Sequence, residues 1–157
     1  MESASDLKRI FRTTAVTCGA VTAGLFVYVL VVEFIKSRFG PFGGFLSGFP
    51  LQSLRYVLYG AAVGSVIIVR FASKALTRIL PGEGVLRSGQ RLSRASVITA
   101  MLAEVPAVLG FVLFFLSGFT RDFYVLLFAS LFLEFMYFPR FNVWQDLIKA
   151  DISKEGI

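Results

Sequence analysis

Glu104 and Glu134 are the residues on which any chemistry of this chain has to rest, because each interrupts a long apolar run. A charged side chain at mid-bilayer costs about 2.5–3.5 kcal/mol on insertion scales, so an ionisable residue there marks a functional site or a compensated charge. Arg70 sits inside another apolar run and Arg140 at the end of the Glu134 run. Two readings stay open. In the first, the two arginines neutralise the two carboxylates and hold the segments together without any further role. In the second, at least one carboxyl keeps its proton, since desolvation penalises the charged form, and then binds or releases a proton or cation.

The rest of the inventory narrows the field. There is no histidine and a single cysteine, Cys18. Histidine-held haem, imidazole-bound zinc, histidine acid–base catalysis and an internal disulfide framework are therefore excluded. Nor is there a glycine-rich phosphate loop or a nucleophile–base pair. No cofactor, metal or catalytic residue is expected, and an enzyme is not the expected class. Cys18, inside an apolar run, reads as a small packing residue.

The elements that must position the two carboxyls follow from composition. Of 157 residues, 56% are hydrophobic and 17% charged, against about 45–50% and 25% in a soluble domain. A core of this size cannot hide that excess, because about a third of the unfolded surface stays exposed at this length. The chain reads as an all-α integral membrane protein, one domain of four transmembrane helices in an antiparallel bundle. Runs of about 17–25 apolar residues place the spans at 13–35, 54–76, 95–118 and 123–141. From the short connection near residue 120, Glu104 lies sixteen residues back and Glu134 fourteen on. At about 1.5 Å per residue, both fall roughly 21–24 Å from that connection, with Arg70 at a similar depth.

Basic residues set the orientation. With the N-terminus inside, twelve of the sixteen Lys and Arg lie on the cytoplasmic side and only Lys36, Arg38, Arg55 and Arg121 on the other. Both termini are expected in the cytoplasm, in the inner (plasma) membrane of a prokaryote. The connection 36–54 is rich in Gly, Phe and Pro, an interfacial loop or a re-entrant lid. The connection 77–94, with a turn at Pro81-Gly82-Glu83-Gly84, carries Arg78, Arg87, Arg91 and Arg94. Anionic lipid explains that charge without nucleic acid. Both tails read as short amphipathic surface helices, the C-terminal one spanning 142–157 with Trp144 as an interface anchor.

Small residues mark the expected packing faces. In span three they are Ser96, Ala100, Ala103, Ala107 and Gly110, bordered by Glu104 and loosened by Pro106; in span two they are Gly60 and Gly64. Such faces let helices approach closely, within the chain, in a self-associated form or against other membrane subunits. Span four is aromatic instead, with Phe128, Phe132, Phe135, Tyr137 and Phe138 facing lipid or lining an apolar pocket.

The segment Ala103-Glu104-Val105-Pro106-Ala107-Val108-Leu109-Gly110-Phe111-Val112 resembles the carboxylate helix of the proteolipid c subunits of rotary ATP synthases and vacuolar-type ATPases. That resemblance implies an ion-carrying role for Glu104, with span two as its hairpin partner. The sequence departs from that family in keeping only Gly60 and Gly64 of the usual glycine run, and Arg87-Ser88-Gly89-Gln90 at the connection. Three functions are therefore expected: a non-enzymatic subunit or scaffold of a membrane assembly, a proton- or cation-handling component, or a small transporter or lipid-binding protein.

Overall fold

The computed structural model describes residues 2–40, 42–46, 51–77 and 84–155, with side chains described within 5–40, 42–46, 52–77 and 84–148. Phe49, Arg78 and the Pro81–Glu83 part of the expected turn lie outside the described residues, as do the side chains of Lys149 and Lys154. Five helices follow in chain order: α1 (Glu2–Phe39), α2 (Leu51–Leu76), α3 (Val85–Ser117), α4 (Thr120–Tyr137) and α5 (Phe141–Glu155). Three of them, α1, α2 and α3, are long and apolar enough to cross a membrane. A fourth span exists if α4 and α5, bent by 46° across their short break, count as one.

Helix boundaries differ from the expected spans for local reasons. No Gly or Pro separates the polar N-terminal turns from the apolar run, so α1 is continuous for 38 residues rather than a surface helix followed by a span. It ends where Gly40 turns to φ 64° ahead of Pro41. Helix α3 starts ten residues before the expected span, which moves Arg87, Arg91 and Arg94 from a loop onto its first turns. Helix α4 stops because Pro139 forces the residue before it out of the helical region; Phe138 sits at φ −57°, ψ 131°.

Helix α3 is the centre of the molecule, with α1, α2 and α4 all packed on it. Its buried residues Ser88, Leu92, Ala95, Thr99, Ala103, Ala107, Gly110 and Phe114 recur every three or four positions, a helical stripe. Helix α1 lays Leu7, Thr14, Cys18, Leu25 and Val32 against it. These spacings are multiples of a heptad or half-heptad, as in coiled-coil seams. Leu7 meets Gly89, and the Thr14 and Ser93 hydroxyls meet at 2.6 Å.

The small-residue faces divide. Ala103, Ala107 and Gly110 are fully buried and Ala100 half-buried, and at Gly110 an added Cβ would lie 2.9 Å from the Leu126 Cβ. Helices α3 and α4 therefore approach through this stripe. Gly60 and Gly64 are different: among the described residues, nothing lies within 4 Å of a Cβ added at either. Helix α2 faces inward with Ala62, Ser65 and Val69 instead, and its glycines are not a packing face within the chain.

The Phe–Gly loop after α1 closes the other end of α3. Four carbonyls at a helix C-terminus lack intrahelical partners. Here Gly118, at φ 72°, returns its N–H to Phe114 O at 2.7 Å, and Ser117 Oγ donates to Leu113 O at 2.6 Å. The Phe45 and Leu46 N–H groups donate to Phe115 O and Leu116 O at 3.0 and 3.1 Å. Phe42 packs on Phe114, with ring centroids 5.4 Å apart. The described part of the loop is thus a cap on α3, held by backbone hydrogen bonds.

A second apolar cluster sits at the opposite end, where Leu7 of α1, Leu92 of α3 and Trp144 and Ile148 of α5 are buried together. Trp144 is 3% exposed and meets the Phe11 ring edge-on at 5.3 Å. It is a core residue of that cluster, not the exposed interface anchor its type and position suggest.

Candidate functional site

Helix α4 carries Glu134 on its buried face because Phe123, Leu127, Ser130 and Glu134 are spaced by four, three and four. The register leaves the carboxyl pointing into the bundle. Glu134 is 4% exposed, and among the described residues neither of its buried oxygens makes a full hydrogen bond. Cys18, Thr22 and Ala100 line a void of about 10 Å³ beside it, together with Tyr137, Phe138 and Pro139. The Thr22 hydroxyl, which donates to the Cys18 carbonyl at 3.2 Å, is also close enough to act on the Glu134 carboxyl. Cys18 is itself 2% exposed and packs there as expected from its place in an apolar run.

Glu104 has a different environment. The Tyr28 hydroxyl donates to its Oε1 at 2.7 Å, and Gly24, one turn earlier on α1, lies beside the same oxygen, where an added Cβ would make only an ordinary contact at 3.8 Å. The Tyr28 ring is stacked on Phe111 at 4.9 Å, which fixes the hydroxyl's position. Glu104 is close enough to Glu134 to act on it electrostatically. Between the two turns, Pro106 removes one backbone donor. The Ala107 N–H donates to Ser130 Oγ at 2.8 Å, so α3 and α4 are pinned together beside the carboxyls.

The expected compensating arginines are elsewhere. Arg70 is exposed on the outer face of α2, one residue past the fully buried Val69, and Arg140 is exposed in the break before α5. Neither forms an ion pair with Glu104 or Glu134; the ion pairs among the described residues are Lys36–Glu33 and Arg55–Asp122. Mutual neutralisation of two carboxylates by two arginines is therefore not what this structure contains. Arg140 does lie along the same groove as Glu134.

Two polar contacts at the other end were not evident from the sequence. Asp122, 3% exposed, accepts from Arg55 at 2.7 Å and from Tyr59 at 3.1 Å. Glu33 accepts from Lys36 at 2.8 Å and from the Tyr124 hydroxyl. The Arg55, Tyr59 spacing of four residues, on a helix whose start faces the short connection, was the available signal. Among the described residues, no group of three His, Cys, Asp or Glu could hold a metal ion. No family model, curated protein or solved structure matches this chain.

Proposed function

We propose that this chain is a small multi-pass membrane component that takes up and releases a proton at Glu134, with Glu104 as the neighbouring carboxyl. One observation carries the reading: Glu134 is buried among the helices and, among the described residues, no cation and no full hydrogen bond compensates its oxygens, with only the Thr22 hydroxyl close by, while both candidate arginines are exposed. A group kept for structure would be expected to have its hydrogen bonds satisfied; an unsatisfied ionisable group inside a membrane bundle is a functional candidate by default. The Thr22 hydroxyl beside the carboxyl is the neighbouring group that can exchange its proton. The proteolipid resemblance points to Glu104 as the carrier, but Glu104 is engaged by Tyr28 inside the chain. The proton-carrying role is therefore assigned first to Glu134.

The same proposal includes an antiparallel four-span bundle with both termini on the cytoplasmic side of a prokaryotic inner membrane. Support comes from the twelve-to-four basic bias and from the joint cluster of α1, α3 and α5 at one end. Dicyclohexylcarbodiimide labels buried protonated carboxyls, so labelling mapped by peptide mass spectrometry tests the assignment. The expected adduct is on Glu134 and is lost in Glu134→Gln. No adduct at any pH between about 5 and 9, or one unaffected by that substitution, contradicts it.

A second reading, a structural subunit of a larger assembly, is favoured by α2. Its Gly60 and Gly64 are unused within the chain and lie among exposed Tyr56, Val57, Val63, Ile67 and Phe71. Such a face suits another transmembrane helix, from a second copy or a different subunit. Cysteine cross-linking through Gly60→Cys in membranes is expected to capture that neighbour; a purely monomeric product contradicts this reading.

A further inference from the structure

A trough runs along α1 where it parts from α4 and α5, and its lining changes character along its length. One stretch, of about 1000 Å³, is walled by Phe128, Phe132, Phe135 and Phe138 of the α4 side, with Gly19 of α1 as its floor. Glu134 offers this stretch only its stem, because both of its oxygens are sealed. The adjoining stretch, of about 770 Å³, lies between α1 and Phe141 and is lined by Lys8, Arg9 and Arg12 beside Phe11 and Val16. Lys8, Arg12, Ala15 and Gly19 recur at four, three and four residues, so both stretches use one face of α1. Arg140 lines the first and its chain neighbour Phe141 the second, so the two stretches end near each other at the break before α5.

The apolar end alone selects nothing, since every lipid tail fits a row of phenylalanines. The cationic end does select. Lys8, Arg9, Arg12 and Arg140 are all exposed, and none is in an ion pair among the described residues. Asp6 lines another groove with Arg9, on the α3 side. A zwitterionic headgroup offers those cations no net charge, whereas an anionic phosphodiester forms charge-assisted hydrogen bonds with guanidinium groups.

We propose that this trough is a binding site for an anionic membrane lipid, with an acyl chain along Phe128, Phe132 and Phe135 and the phosphate between Arg12 and Arg140. The site is distinct from general attraction of the basic start of α3 to the membrane surface.

The test is native mass spectrometry of the detergent-solubilised chain with equal amounts of dioleoyl phosphatidylglycerol and dioleoyl phosphatidylcholine. Retention is expected to favour phosphatidylglycerol by a factor on the order of five for each basic residue engaged. Arg12→Gln with Arg140→Gln is expected to lower that preference about tenfold or more, while Arg87→Gln with Arg94→Gln leaves it unchanged. Free glycerol phosphate is expected to give no retained adduct. All four substitutions are at exposed side chains, and unchanged thermal melting checks that each variant is folded; the single variants Arg12→Gln and Arg140→Gln supply the same readout should the double variant melt early. Equal retention of the two lipids overturns the proposal, as does equal loss of preference in both arginine pairs, which is surface attraction alone. Glycerol phosphate retained as firmly as the lipid makes the site a phosphate site and overturns it as well.

Discussion

At the scale of single residues, Glu134 is a buried carboxyl and Glu104 a half-buried one, and they differ also in what surrounds them. Tyr28 satisfies Glu104, so Tyr28→Phe removes the donor to a half-buried acceptor. That change is expected to cost about 0.5–1.5 kcal/mol, measured by unfolding in detergent micelles or by steric trapping in bicelles. Glu134→Gln is expected to leave stability unchanged or to raise it, because no hydrogen bond is lost and no charge remains to bury. A marked loss of stability in Glu134→Gln would show that the carboxyl has a structural partner. The placement of both carboxyls within long apolar helices was legible in the sequence, because the apolar runs around them are unbroken. Their partners were not. A helix turns about 100° per residue, so Val69 is buried while its neighbour Arg70 faces out, and span-level hydropathy does not report that angle. Tyr28 meets Glu104 only because α1 and α3 run side by side with a register set by Leu7 on Gly89 and Thr14 on Ser93.

At the scale of elements, glycine separates the contacts that matter from those that do not. Gly110→Leu is expected to destabilise the α3–α4 pair by about 1–3 kcal/mol or more, since a Cβ alone already crowds Leu126 and the Phe123 backbone. Gly60→Leu is expected to be tolerated within the chain, with unfolding transitions again as the measurement. If both melt alike, the assignment of packing faces is wrong. Gly118→Ala combines a left-handed backbone cost of about 1–2 kcal/mol with a Cβ 2.2 Å from Phe42 O. It is expected to release the Phe42–Leu46 cap, seen as faster amide exchange at Phe45 and Leu46. The small-residue stripe of α3 was readable from spacing alone. Equal spacing in α2 misled, because a Gly-x-x-x-Gly pair does not say whether its partner belongs to the same chain. The long α1 and early α3 were missed for another reason: hydropathy ends a span where charge begins, whereas a helix continues until Gly, Pro or a lost hydrogen bond stops it.

At the scale of the whole molecule, the apolar composition and the unbroken runs were enough to read an all-helical chain with three or four membrane-length helices. The contact order of the helices was not, since burial in α3 and exposure in α2 come from packing rather than from hydropathy. The aromatic residues divide the same way. Trp144 closes a buried cluster with Leu7 and Leu92, while Phe128, Phe132 and Phe135 of α4 stay exposed. What unites these features is a central α3 that brings the carboxyl of α4 against α1, without an ion pair to either arginine and near a second carboxyl. In the function proposed above, Glu134 exchanges a proton inside the bundle. Infrared spectroscopy of the chain in lipid bilayers, with wild type and Glu134→Gln compared across about pH 5 to 9, reads that proton directly. Proton exchange at Glu134 predicts a carboxylic-acid carbonyl band that is absent from Glu134→Gln and that weakens in the wild type as the pH rises. A spectrum without such a band, or with one that stays constant throughout, would contradict it.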